Sequence, residues 1–168
     1  IFIGGGTPSL FSATAYETLF KGLQKHLRFA RDIEITLEAN PGTLEQGRFE
    51  GYHSLGINRL SIGVQSFDPA QLNKLGRIHN SDDARRAIAC AQHAGFSNFN
   101  VDLMHGLNEQ SQAEAMQDLE IAISAGAPHI SWYQLTIEAN TEFFKRPPSL
   151  PLETEMHRMQ ATGLSLLN

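Results

Sequence analysis

The 168-residue chain holds one cysteine, Cys90, no long apolar run and no surplus of basic charge. A single thiol excludes an internal disulfide and any metal site built from cysteines alone. It accords with a reducing compartment, so a cytoplasmic location is expected. No stretch approaches the roughly 20 apolar residues that a membrane-spanning helix needs. Thirteen Lys and Arg against 18 Asp and Glu give a net charge of −5. The clustered cations of a nucleic-acid binder are missing, and Arg85-Arg86 reads as the solvated side of a helix. There is no Walker loop, no G-x-G-x-x-G, no HExxH and no H-x-x-H. His26, His53, His93 and His157 fall on helical segments at surfaces, and His79, His105 and His129 in loops or at strand ends. No metal site is expected.

What is present is ordinary globular material, 41% hydrophobic and 18% charged, enough for one core. The chain starts within a strand pattern and stops within a helical one. It therefore reads as an internal fragment, residues 1–168, of one domain.

Strand and helix patterns alternate. Ile1-Phe2-Ile3 is a strand, and a helix from about Thr14 places Tyr16, Leu19, Phe20, Leu23 and Leu27 on one stripe, with Thr14 and Glu17 as a capping box. A second strand covers Ile33 to Glu38, and a second helix starts at Thr43 with Gln46 in the box position. The third strand is Arg59 to Val64. Asp68 and Pro69 start a short helix as N-cap and first residue. A helix near Ser81 buries Ala84, Ala87, Ile88 and Ala91, and Cys90 reads as a small core residue. The fourth strand runs from Asn98 to Met104. Ser111 and Glu114 box the next helix, whose inner face holds Ala115, Met116, Leu119 and Ala122. The fifth strand runs from His129 to Ile137, and a last helix starts near Glu153.

Such alternation implies parallel strands with right-handed crossovers. A doubly wound sheet and a β/α barrel both fit. The sheet form wants its glycine loop to enter a helix directly, and Pro8 to Ala13 intervene. The expectation is therefore an α/β partial (β/α) TIM-like barrel.

In such folds ligands bind beyond the carboxyl ends of the strands. Those ends carry Gly4-Gly5-Gly6-Thr7, Glu38, Gln65, Asp102 and Thr136. Three successive glycines suggest a backbone that approaches something closely. Asp102 sits between Val101 and Leu103, where a carboxylate needs hydrogen-bond donors; a ribose diol or structural backbone amides would both serve. Glu38 suits an ammonium or hydroxyl, or an ion pair with Arg59 or Arg77. Gln65 suits a hydroxyl or amide, or caps the turn before Asp68. Arg77 suits a carboxylate, or a surface ion pair.

The stretches IFIGGGTPSL, EITLEANPGT, NRLSIGVQSF, LGRIH, NVDLMHGL and SWYQLTIEANT, in this order, closely resemble radical S-adenosylmethionine (SAM) proteins of the oxygen-independent coproporphyrinogen III oxidase-like group. SIGVQSF, LGRIH and YQLTIE look most like its HemW-type haem chaperones. The resemblance implies that Gly4, Gly5, Gly6 and Thr7 line a SAM site where their backbone meets the methionine part, that Glu38 contacts SAM and that Arg77 faces the methionine carboxylate. It implies further that Gln65 and Asp102 hold the ribose hydroxyls and that Thr136 lies near the adenosyl part. It also implies a [4Fe–4S] cluster, held by a CxxxCxxC motif that in the family lies upstream of the matched region. For the full-length protein it implies haem or porphyrin as ligand and respiratory-chain haem enzymes as recipients. The alternative is a true coproporphyrinogen III dehydrogenase.

Overall fold

The computed structural model describes residues 1–41 and 48–167. The helix start expected at Thr43 with Gln46 lies outside the described residues. Five strands form one sheet in the order β1-β2-β3-β4-β5: β1 Phe2–Ile3, β2 Thr36–Ala39, β3 Arg59–Gln65, β4 Phe99–His105 and β5 His129–Gln134. Every neighbouring pair is parallel. The order never reverses. A doubly wound sheet reverses at its switch point, so these strands follow the singly wound path of a β/α barrel.

Among the described residues the helices are α1 Ala13–Gln24, α2 Phe49–Ser54, α3 Pro69–Lys74, α4 Ser81–His93, α5 Gln112–Ser124, α6 Glu142–Lys145 and α7 Glu153–Leu167. Local chemistry sets several starts. Asp68 accepts from the Ala70 and Gln71 amides with Pro69 first in α3, and Ser111 and Glu114 cap α5 reciprocally. Helix α1 departs from expectation. Its cap is Ser12, which accepts from the Ala15 amide, because a 3-10 turn at Pro8–Leu10 ends close to the helix. Tyr16 and Phe20 are buried, whereas Leu19 and Leu27 are exposed; Leu27 lies beyond the helix end. Strand β5 stops at Gln134, three residues short of the expected Ile137.

The strands divide their side chains by face. Leu37, Ala39, Leu60, Ile62, Val101 and Leu103 join Tyr16, Phe20, Phe49, Tyr52, Ala84, Ala87, Ile88, Leu119 and Ala122 in one apolar cluster. Helices cover this face. The alternate positions, Glu38 opposite Ser61, Ser61 opposite Asn100 and Asp102 opposite Ser131, form polar rows on the other face. Packing on one face thus fixes which residues are presented on the other.

Candidate functional site

The polar face and the carboxyl-end rim enclose a cavity of about 400 Å³ lined by Phe2, Gly6, Pro8, Glu38, Ala39, Asn40, Ser61, Gly63, Gln65, Arg77, Asp102 and Tyr133. That is within the range of small-molecule sites. Of the residues expected at a site, Gly6, Glu38, Gln65, Arg77 and Asp102 meet here. Gly4 and Gly5 face an adjacent apolar hollow with Pro8, Phe11 and Tyr16. Thr7 and Thr136 line neither; Thr136 is exposed beyond the end of β5.

The glycine loop is held on both sides. Tyr16 Oη donates to the Pro8 carbonyl at 2.7 Å, and Tyr52 Oη lies 2.6 and 2.7 Å from the Ser9 and Phe11 carbonyls. Burial pushes the Tyr16 hydroxyl up to about 12, with Tyr52 adding to it, so it stays a donor. On the rim side the Gly5 amide donates to Glu38 Oε2 at 3.0 Å. A Cβ on Gly4 would stand 2.9 Å from the Glu38 carboxyl carbon and 2.7 Å from the Phe2 ring. Gly5 and Gly6 have φ of +85° and +61°, conformations that side chains disfavour. The close approach inferred from three glycines is therefore real at Gly4, and its partner is Glu38. Arg59 stands 4.0 Å from Glu34, and Glu38 makes no ion pair among the described residues.

Asp102 is half-buried and held by side chains rather than backbone amides. Ser61 Oγ donates to Oδ2 at 2.9 Å and Asn100 Nδ2 to Oδ1 at 2.8 Å. Ser131 Oγ donates to Asn100 Oδ1 at 3.0 Å and so orients the amide. Each carboxylate oxygen keeps a lone pair for a further donor. Register explains the grouping, since Ser61, Asn100, Asp102 and Ser131 occupy facing positions on three adjacent strands.

Gln65 is buried, with φ of +70°. It follows a bulge: Ile62 pairs with Val101 and Gln65 with Leu103, three steps on β3 against two on β4. It does not cap the turn, because Asp68 caps α3 itself. The Tyr133 hydroxyl donates to Gln65 Oε1 at 2.8 Å. Burial raises the Tyr133 hydroxyl above its usual range, reinforced by the Asp102 charge. Gly63 makes room for the Gln65 amide: a Cβ there would stand 3.1 Å from Nε2. Arg77 is exposed at the mouth and has no ion pair among the described residues.

Behind this rim lies a carboxylate absent from the expected set. Asp118 on α5 is buried, accepting from Ser66 Oγ and from the Phe67 amide, each at 2.7 Å. Desolvation pushes its carboxyl up to about 6 against those two hydrogen bonds. His79 is also buried, and desolvation holds its imidazole below the usual range. No group of three or more metal-ligating side chains occurs among the described residues, and no helix of the described residues is long and apolar enough to cross a membrane.

A singly wound parallel sheet with a polar, two-carboxylate cavity at its carboxyl rim defines the core of a β/α barrel, with a candidate site where such folds place theirs. The Radical SAM superfamily profile matches residues 1–122, and the chain belongs to that superfamily. The chain is 54% identical over 167 residues to the heme chaperone HemW of Haemophilus influenzae and 53% identical to that of Escherichia coli, covering 99% of this chain and 44% of each relative. It is 37% identical to the mouse mitochondrial radical S-adenosyl methionine domain-containing protein 1, covering 98% of this chain and 39% of that protein. It thus spans less than half the length of these relatives. Among solved structures, Escherichia coli coproporphyrinogen III oxidase HemN, a radical SAM enzyme, superposes with a TM-score of 0.88 at 24% identity, covering 99% of this chain and 39% of that one. An archaeal Elp3 from Methanocaldococcus infernus superposes at 0.80 and 17% identity, covering 96% and 43%. These likenesses confirm the partial barrel.

Proposed function

We propose that the rim cavity binds SAM and that the full-length protein is a haem chaperone. The observation that carries the first part is the convergence of Glu38, Gln65, Arg77 and Asp102 on one cavity. The donor set suits the ligand. Asp102, with lone pairs to spare, accepts from a ribose diol; Arg77 offers a fork for a carboxylate; Glu38 offers a carboxylate to an ammonium. Gln65 differs from the simplest expectation. Its oxygen already accepts from Tyr133 and keeps one lone pair, while its amide nitrogen offers a donor to a ribose oxygen.

The three thiolates that hold a [4Fe–4S] cluster and leave one iron open do not fit this stretch, which has only Cys90. A cluster in the full-length protein needs cysteines from outside these 168 residues, and no step is derived through it. The chaperone reading rests on the named HemW relatives. It makes haem the cargo and a respiratory haem enzyme the recipient, with a cytoplasmic site of action.

Two measurements test this. Anaerobically reconstituted full-length protein is titrated with SAM and with haem, and binding of both is expected. The same protein is then given coproporphyrinogen III, SAM and reductant. No protoporphyrinogen is expected, and its formation would replace the chaperone with a porphyrinogen dehydrogenase.

A further inference from the structure

Gln65 holds a backbone conformation that its own side chain disfavours. With φ at +70°, its neighbours close a three-residue turn in which the Ser66 amide donates to the Val64 carbonyl at 2.9 Å. Turns of this hand are rare and strained. They persist where the surroundings over-determine them, characteristically at ligand sites.

Three separate elements do so here. His79, in the loop between α3 and α4, places Nε2 3.0 Å from the same Val64 carbonyl. A carbonyl only accepts, so Nε2 carries the proton. Asp118 reaches from α5 and takes both Ser66 Oγ and the Phe67 amide. Tyr133, on β5, holds the side-chain oxygen of Gln65. His79 and Asp118 do not line the cavity. They bond the residues on either side of Gln65 without themselves entering the cavity lining.

We propose that His79 and Asp118 are positioning residues, which hold the Val64–Phe67 turn so that Gln65 delivers its amide nitrogen to the ligand. The proposal rests on the reading of the cavity as a SAM site. It accounts for a buried histidine and a buried carboxylate behind the rim, each bonded to the turn that carries Gln65. It also accounts for Gly63, whose missing side chain leaves space for the Gln65 amide.

The test is a double-mutant cycle on the anaerobically reconstituted full-length protein, read as SAM affinity. His79→Leu and Asp118→Leu are each expected to weaken binding on the order of tenfold where Gln65 is present, the value of one or two hydrogen bonds. Beside Gln65→Ala the same changes should cost less than about twofold, because what they position is gone. His79→Gln and Asp118→Asn keep a donor and an acceptor in place and should restore most of the affinity. Should the leucine variants fail to fold, Ser66→Ala removes the bond to Asp118 and the acceptor of the Asp68 amide with little loss of volume; about threefold weakening is expected beside Gln65 and none beside Gln65→Ala. Equal losses in both backgrounds overturn the proposal. A second readout needs no ligand. Hydrogen exchange in peptides spanning residues 62–68 should accelerate in His79→Leu and Ser66→Ala, and unchanged exchange also overturns it. A native protein that binds no SAM sinks the reading of the cavity, while the exchange measurement still decides the clamp.

Discussion

The Gly5 amide donates to Glu38 Oε2 at 3.0 Å, so a backbone group on β1's loop fixes a carboxylate on β2. The contact depends on the residue before it, because a Cβ at Gly4 would overlap both that carboxyl group and the Phe2 ring. Gly4→Ala is expected to push Glu38 aside and weaken SAM binding about tenfold, with a stability loss of about 1–3 kcal/mol from overpacking. Isothermal titration and thermal melts of the full-length protein check both. Native affinity in Gly4→Ala would show that Glu38 does not contact the ligand.

Asp102 joins the rim cavity to a side-chain network. Asp102→Ala removes the carboxylate and leaves Ser61 Oγ and Asn100 Nδ2 each short of an acceptor. The expected loss of SAM binding is about 1.5–3 kcal/mol, the value of a hydrogen bond to a charged group. Cluster content should be unchanged. Undiminished affinity would make Asp102 a structural residue only.

Asp118 gives the fold a pH signature. Its carboxyl is raised from 3.8 to about 6 in the folded protein. The folded state therefore binds the extra proton, and this group's contribution is fully present below pH ~4 and lost as pH rises through about 6. The full swing is about 3 kcal/mol. His79 and His105, whose imidazoles burial holds below their usual range, act oppositely and lose stability as pH falls. Asp118→Asn should isolate the first effect. Its melting temperature should exceed that of the native protein at pH 8 and fall level with it, or below, near pH 4. A constant difference across that range would contradict the assignment.

Helix α7 is seated on β5 through a glycine. A Cβ at Gly163 would lie 2.1 Å from the Trp132 ring. Alanine improves helix propensity by about 1 kcal/mol, yet Gly163→Ala is expected to destabilise by at least ~1–3 kcal/mol, because two rigid elements must separate. Denaturant melts measure the balance, and a net gain in stability would show that the helix can shift freely.

Signals carried by a few adjacent residues were legible in the chain. Asp68-Pro69, the Ser111 and Glu114 box and the alanine stripe of α4 all formed as their local chemistry dictates. The cap of α1 lies two residues before the position its pattern points to, because Thr14 and Glu17 match the box pattern equally well and only the preceding 3-10 turn selects Ser12. At the cavity, Glu38, Gln65 and Asp102 were foreseeable because strand ends face ligands in parallel folds. Ser61, Asn100, Ser131 and Tyr133 were not. In single strands they look like solvent-facing alternation, and only inter-strand register shows that they meet. Asp118 was hidden in the same way, as a polar letter in an apolar helix stripe whose partners lie 51 and 52 residues away. The alternation also distinguishes the two faces of the sheet. Parallel strands buried on both faces read as continuous apolar runs, so the regular polar letters of β2, β3 and β4 already marked a sheet with one polar face.

That division has an evolutionary corollary. Replacing a residue at 38, 61 or 102 alters what the cavity can hold while leaving the helix-side packing intact, so new ligand preferences are reachable by point substitution. Inserting or deleting one residue within β2 or β4 would instead swap the two sets of side chains wholesale. Lineages of this barrel should therefore diverge in the letters of their strands and keep the strand lengths.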